Sequence, residues 1–247
     1  MTLAPQKTTH VEGNYQHPPT FSVSGDTSAH FAHAVEDYEL NVLAHLPVDL
    51  SARIIDVGCG WGQFLSWLRS RGYSSIQGID LGTQQVAQCR KLGLVAEQVT
   101  DSAAFLAALP QQFDLVTMHH IIEHVETFEG LALLRSAYDS LRDNGRIIVQ
   151  TPNMNATSAN FSRYIEITHV TGYTDSSLAE ALQLAGFKDV VVYGNRTGFR
   201  WQPKRLAWLA LQKFSRLLWR LMLFAELGSD APHTLAKNLY AIGTKSG

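Results

Sequence analysis

Apolar residues recur along this chain in two rhythms. From residue 53 to residue 150, short apolar runs of strand type alternate with stretches in helical spacing. The strands are expected at 53–57, 76–80, 94–99, 113–118 and 145–150, and the helices at 62–70, 83–91, 102–108 and 127–141. Runs such as Phe113-Asp-Leu-Val-Thr-Met118 and Arg146-Ile-Ile-Val149 are nearly continuous in apolar residues. Strands of that kind belong to a parallel sheet covered on both faces, so the pattern predicts an α/β architecture. Upstream, Ala29, Phe31, Ala34, Val35, Tyr38, Val42 and Leu46 predict a helix over 29–46, stopped by Pro47. Asn144-Gly145 is expected to close the helix ending near Arg142. A helix over 175–185, ended by Gly186, and strands at 188–193 and 238–244 complete the sheet, with one or two long helices over 203–227. The polar, proline-broken segment 1–25 reads as an arm. The expected organisation is an arm over 1–28 and one domain over 29–247, with 203–227 inserted before the last strand.

Composition narrows the class. The 247 residues suffice for one sizeable core, and the formal net charge of -2 gives no reason to expect a nucleic-acid partner. The two cysteines, Cys59 and Cys89, do not form a disulfide framework and fit a reducing compartment. The N-terminal residues lack the apolar core of a signal peptide, and no uncharged run approaches the roughly 20 residues of a membrane span. A cytoplasmic protein is the expectation.

The densest chemical signal is Arg53-Ile-Ile-Asp-Val-Gly-Cys-Gly-Trp-Gly62, where an apolar strand ends in Asp56 and opens into a glycine loop followed by a helix. Such a unit seats a nucleoside against backbone. A dinucleotide site shows G-x-G-x-x-G; here the glycines are 58, 60 and 62, and the third dinucleotide position is Gln63. This tighter loop suits a nucleoside without phosphates, such as S-adenosylmethionine. Asp56 then stands where an acid faces the ammonium of the methionine tail, and Gly58 and Gly60 allow close backbone approach. Asp80 ends the run Ile76-Gln-Gly-Ile-Asp80, 22 residues after Gly58, the place for a carboxylate that accepts the ribose hydroxyls. Asp101, with Ser102 beside it, is the candidate for the adenine amino group. Each acid has a plainer alternative as a helix N-cap or a solvated loop residue.

Ile54-Ile-Asp-Val-Gly-Cys-Gly-Trp-Gly62 resembles motif I of class I S-adenosylmethionine-dependent methyltransferases. Gly78-Ile-Asp80 resembles motif II. Phe113–Met118 with Glu123-His-Val125, and Asn144-Gly-Arg-Ile-Ile-Val149, resemble the fourth- and fifth-strand motifs of the ubiquinone-methyltransferase-like branch. In the last of these, Asp143-Asn144 replaces the usual Pro-Gly. The resemblance covers about residues 38–195 and implies a Rossmann-like, doubly wound seven-stranded sheet with the last strand antiparallel. It implies S-adenosyl-L-methionine as cofactor, held by Asp56, Gly58, Gly60, Asp80, Leu81, Asp101, Ser102 and the backbone of His119.

The acceptor belongs above the carboxyl ends of the central strands. A hydroxyl acceptor gains from a base, and histidine, with an ordinary pKa of about 6.5, is the natural one. On a helix, His120, Glu123 and His124 share a face, which suits a base or a divalent metal. Some ubiquinone-pathway relatives use a metal at the corresponding helix, with an acid where this chain has His120, so the metal question stays open. The segment Tyr164–Leu178 resembles one that borders the acceptor pocket in methyltransferases found with polysaccharide and O-antigen synthesis. There Thr174 or Asp175 caps the following helix, and His169 is a further candidate for base or acceptor contact. Asn153, Asn155, Asn160 and Arg163 form a polar loop able to bind a sugar or to serve as a lid.

Over 203–227, Lys213, Arg216 and Arg220 fall on one face among many leucines and aromatics, a basic amphipathic pattern. It fits peripheral contact with an anionic membrane, a homodimer seam, or packing on the core. The leading expectation for function is an O-methyltransferase acting on a sugar hydroxyl by direct in-line transfer with a histidine base. A phenolic or quinone-like acceptor, and a non-catalytic cofactor-binding protein of the same fold, are the alternatives.

Overall fold

The computed structural model describes residues 27–198 and 203–247. The polar segment 1–25 lies outside them, and Thr27 and Ser28, assigned above to the arm, begin the first helix. Along the chain come α1 (Thr27–Asn41), β1 (Ile54–Val57), α2 (Gln63–Ser70), β2 (Ile76–Asp80), α3 (Thr83–Lys91), β3 (Ala96–Gln98), α4 (Ser102–Ala107) and β4 (Phe113–His119). They are followed by α5 (Thr127–Ser140), β5 (Leu141–Pro152), α6 (Ala159–Tyr164), α7 (Asp175–Ala185), β6 (Lys188–Gly194), α8 (Pro203–Leu227) and β7 (Asn238–Thr244).

The strands form one seven-stranded sheet in the order β3-β2-β1-β4-β5-β7-β6. β1 to β5 run parallel, and β7 inserts antiparallel to both β5 and β6. This is the doubly wound, Rossmann-like architecture expected from the sequence. Strand periodicity sorts side chains into two cores. Ile55, Val57, Val116, Met118, Ile147, Val149, Leu239 and Ala241 pack with Leu106 of α4, Leu134 of α5 and Leu182 of α7. Their neighbours Ile54, Leu115, Ile148, Tyr240 and Ile242 face the other way, onto Tyr38 of α1, Val42 just after it, and Phe64, Trp67 and Leu68 of α2. Burial on both faces is why these strands read as unbroken apolar runs.

Several expected boundaries move: the strand expected over 94–99 is Ala96–Gln98, and the one expected over 145–150 is Leu141–Pro152. The helix over 29–46 stops being α-helical at Asn41 and continues as a 3₁₀ turn over Leu43–His45. Leu46 is extended (ψ 151°), as suits a residue before proline. Asn144-Gly145 does not close α5. That helix ends at Ser140, Leu141 is already extended, and the chain enters β5 directly. Asn144 takes a left-handed φ of 64° beside a register shift between β4 and β5, where its N–H donates to the Lys245 carbonyl.

Sheet order reverses between β1 and β4, where successive connections leave to opposite sides. The crevice above the carboxyl ends of these strands is where ligands of doubly wound sheets bind.

Candidate active site

The loop after β1 is bent by three left-handed glycines, Gly58 (φ 71°), Gly60 (φ 51°) and Gly62 (φ 80°). Two of them differ in what they make room for. A Cβ on Gly58 would lie 1.9 Å from Ile121 Cδ1, so that glycine admits the protein's own β4–α5 connection. A Cβ on Gly60 would meet none of the described residues within 4 Å, so its open side faces away from them.

Asp80 holds this loop: one carboxylate oxygen accepts the Gly60 N–H at 2.8 Å and the other accepts the Gly82 N–H at 2.7 Å. Each oxygen keeps a second lone pair for a further donor. Leu81, beside it, is 62% exposed, a large apolar side chain left uncovered at the rim. Asp56 is buried at the end of β1, where Thr117 Oγ1 donates to its Oδ1 at 2.8 Å. Burial pushes its carboxyl up to about 7, and the Thr117 bond only partly offsets this. Asp101 caps α4, accepting the Ala104 N–H at 3.0 Å, and Ser102 is the first residue of that helix. The plainer reading of Asp101 is therefore satisfied in the fold, and nothing here assigns it or Ser102 to a ligand.

His119 departs from expectation. Its side chain, not only its backbone, turns inward, against the rings of Phe64 (4.5 Å between centroids) and Tyr38 (5.4 Å). Gln150 Nε2 donates to Asp37 Oδ2 at 3.2 Å, which turns the amide oxygen toward His119 Nδ1 at 3.0 Å. Nδ1 is thus the protonated nitrogen. Burial pushes the imidazole down to about 4, and Nε2 is left as a buried acceptor with no partner among the described residues.

The connection after β4 is not an α-helix. His120 sits at a left-handed φ of 56° and only Ile122–His124 form a 3₁₀ turn, so His120, Glu123 and His124 do not make the shared helical face expected. The structure pairs His120 with Glu123 instead, Nδ1 to Oε1 at 2.8 Å. Thr151 Oγ1 donates to the second oxygen, Oε2, at 3.1 Å. Burial lowers the His120 pKa, but the bond to Glu123 and its charge outweigh burial and raise it above the usual value. Burial likewise pushes Glu123 up, and the His120 bond and charge bring it below the usual value. The pair therefore favours imidazolium and carboxylate. The His120 side chain is 42% exposed while that of Glu123 is 3% exposed, so the histidine is the solvent-facing end of the pair.

His124 and His169 come together edge to face, 4.7 Å between ring centroids. His124 Nδ1 lies 3.1 Å from Thr168 Oγ1, and the Nδ1 of the buried His169 donates to the Ser162 carbonyl at 2.6 Å. Ligand atoms of Glu123, His124 and His169 lie within 4.8 Å of one another, the one such convergence of histidine, cysteine and acidic side chains among the described residues. Any cation there would be held by a different trio from the one read along the sequence, with His169 in place of His120.

The polar loop is more committed to the fold than expected. Asn153 is fully buried, with its amide donating to the Thr234 and Ala236 carbonyls and its oxygen accepting the Asn155 N–H. Asn155 donates to Asp175, which also accepts the His233 N–H, and Arg163 donates to the Val170 carbonyl. These residues tie the loop down and do not wait for a sugar; Asn160 is the one of the four that stays exposed. Thr174 caps α7 in a reciprocal box with Ser177, as expected.

The Methyltransferase domain family model matches residues 29–192. The chain belongs to that family. Its fold is that of the class I S-adenosylmethionine-dependent methyltransferases, and S-adenosylmethionine is its cofactor. A ubiquinone biosynthesis O-methyltransferase of Pseudomonas entomophila is 33% identical over 108 residues, 42% of this chain and 45% of that protein. The chain thus aligns with less than half the length of the curated relatives it matches. A SAM-dependent methyltransferase from Archaeoglobus fulgidus superposes with a TM-score of 0.59 at 20% identity, covering 78% of this chain and 86% of that one. Phosphoethanolamine N-methyltransferase 2 of Haemonchus contortus, solved with S-adenosyl-L-methionine, superposes with a TM-score of 0.57 at 16% identity, covering 87% of this chain and 52% of that one.

The residues present fit the methyltransferase cofactor. Among the described residues, Gly60 leaves open space, the Asp80 oxygens keep acceptor capacity, Asp56 is a buried acid that a cation would ionise, and His119 Nε2 is an unmet acceptor. Sequence reasoning missed the polar group behind this crevice: Asp37, which accepts from Gln150, from Asn41 and from the Tyr240 hydroxyl. Its four members come from α1, β5 and β7; Asp37 and Asn41 are one helical turn apart, but nothing local in the sequence marks Gln150 and Tyr240 as their neighbours.

Proposed function

We propose that this protein methylates a hydroxyl group of a sugar, in surface-polysaccharide or O-antigen synthesis, with His120 as the general base. The observation that carries the base is the His120–Glu123 pair. A buried carboxylate holds Nδ1, and Nε2 remains as the nitrogen that can take a proton. The left-handed backbone of His120 is a costly conformation for a non-glycine residue, and such positions cluster at functional sites.

S-adenosylmethionine, when bound, supplies an electrophilic methyl group on sulfonium. The chain has to hold it, orient the acceptor and remove one proton. Asp56, Gly58, Gly60, Asp80 and Leu81 form the holding side, and His119 adds an acceptor. On the acceptor side, the hydroxyl proton passes to His120 Nε2 as the oxygen becomes the attacking atom, and Glu123 steadies the imidazolium that results. His124 and His169 line the same region, and with Thr168 they position the loop over it. The sugar rests on the resemblance around Tyr164–Leu178, and the cytoplasm is the setting that the sequence suggests.

A second reading, a phenolic or quinone-like acceptor, is favoured by the likeness to the Pseudomonas ubiquinone biosynthesis O-methyltransferases. A panel assay with labelled S-adenosylmethionine separates the two. Transfer to sugar nucleotides or glycans and not to catechols supports the first reading; the reverse overturns it. Cofactor binding with no transfer to any acceptor supports the non-catalytic alternative. His120→Ala should lower turnover about 100-fold or more with little change in cofactor affinity. Turnover should also rise with pH through a value above the ordinary histidine range, because the base form appears only above the raised pKa. Glu123→Gln should move that limb to lower pH; a profile that stays in place would remove the pair from the mechanism.

A further inference from the structure

The long helix α8 presents its apolar side outward. At 100° per residue, the better-covered positions Leu209, Gln212, Ser215, Arg216, Trp219 and Leu223 gather on one side of Pro203–Leu227. Trp219 anchors that side, donating from Nε1 to the Asn155 carbonyl at 3.1 Å. The opposite arc, about 140° wide, holds Leu211, Phe214, Leu217, Leu218, Leu221 and Met222; the one charged residue of the helix sequence that falls within it is Lys204 in the first turn, in line with Met222 at its edge. Each of these six is between 46% and 66% exposed. An apolar arc of this size is not an ordinary solvated surface.

Charge selects what covers it. The helix sequence has five basic residues, Lys204, Arg205, Lys213, Arg216 and Arg220, against one acid, Glu226, in a chain whose net charge is -2. Lys213 and Arg220 are exposed along one edge of the apolar arc. A second copy of this helix would bring a like-charged edge against its own, with one acid per copy to answer five cations. An anionic lipid surface answers both features at once, taking the apolar arc into the headgroup–acyl boundary and the cations at the phosphates. No helix among the described residues is long and apolar enough to cross a membrane, so the helix would lie in the interface.

We infer that α8 seats the protein on an anionic lipid surface. The Trp219–Asn155 bond ties this seat to the loop after β5, the segment that borders the acceptor side in the function proposed above. That segment exposes Tyr164, Ile165 and Ile167 in addition. A lipid-borne acceptor would then meet the site at the surface where it resides. Only this last consequence rests on the proposed function; the seat itself does not.

Flotation of the full chain with phosphatidylcholine vesicles, with and without phosphatidylglycerol, tests the seat directly and needs no acceptor. The expected result is flotation with the mixed vesicles, several-fold stronger than with phosphatidylcholine alone and weakened by salt. Lys213→Glu with Arg220→Glu should reduce the floated fraction on the order of tenfold. Leu211→Gln, Leu218→Gln and Met222→Gln together should abolish it. Both variants should keep S-adenosylhomocysteine binding, which shows that the domain is folded; should the apolar variant fail to fold, the charge-reversal pair still decides. No flotation, or flotation indifferent to the charge reversal, overturns the inference. A lipid-independent dimer without flotation, dissociated by the apolar substitutions, overturns it in favour of a second copy. Loss of flotation with intact transfer to a soluble glycan would separate the lipid seat from the catalytic reading.

Discussion

Asp56 and Asp80 do different work at the scale of single residues. Asp56 is raised to about 7 by burial, from an ordinary 3.8. Between those values the folded chain keeps a proton that the unfolded chain has released, so on this group's account stability falls as pH rises from about 4 to about 7. Asp56→Asn should remove that fall, and its melting temperature relative to wild type should climb over the same window. Cofactor affinity should move the other way. The ionised carboxylate is the form that attracts the cationic tail, so titration calorimetry should find tighter binding of S-adenosylmethionine to wild type as pH rises through about 7, and little such gain in Asp56→Asn. Asp80→Ala removes an acceptor for the cofactor and for two loop N–H groups. A loss of roughly 1.5–3 kcal/mol corresponds to about tenfold to hundredfold weaker cofactor binding. An unchanged dissociation constant would reject the ribose role.

Among the elements, the glycine loop is the one whose tension can be probed cleanly. Gly60→Ala adds a Cβ into space that none of the described residues fills, so the cost to the fold is the left-handed backbone, roughly 1–2 kcal/mol. Its effect on cofactor affinity should be larger, at least about tenfold by calorimetry, because the added methyl occupies ligand space. Equal affinity would mean that the cofactor lies elsewhere. The loop, β1 and α2 were all legible in sequence because glycine, the strand-end acid and helical spacing are local signals. The β4–α5 connection was not. His120, Glu123 and His124 have the spacing of an α-helical face, yet Gln150 accepts the His120 N–H and Thr151 binds Glu123, and these β5 contacts hold His120 in a left-handed turn. The polar loop misled for a similar reason. Asn153 looked ready for a ligand, while carbonyls at residues 234 and 236, some 80 positions away, already take its amide.

For the molecule as a whole, the cofactor crevice joins β1, β2 and β4 through the glycine loop, so its ligand should stabilise the entire domain. At a concentration 100 times the dissociation constant, S-adenosylhomocysteine should add about 2.7 kcal/mol and raise the melting temperature measurably. Asp80→Ala should show a smaller shift at the same concentration. A ligand shift equal in the two proteins would detach Asp80 from the site. The sequence by itself determined the doubly wound sheet, the place of the glycine loop and the identity of the nucleoside it seats. Those features follow from strand and helix periods, and from glycine and acid positions a few residues apart. Only the tertiary structure decided which histidine is held by Glu123, that His169 meets His124, that His119 is buried behind the crevice, and that α8 turns its apolar side outward. Each of these depends on residues that are far apart in the chain and adjacent only once the sheet has closed. Local periodicity reports that a helix has two faces; packing alone selects which of them meets the core.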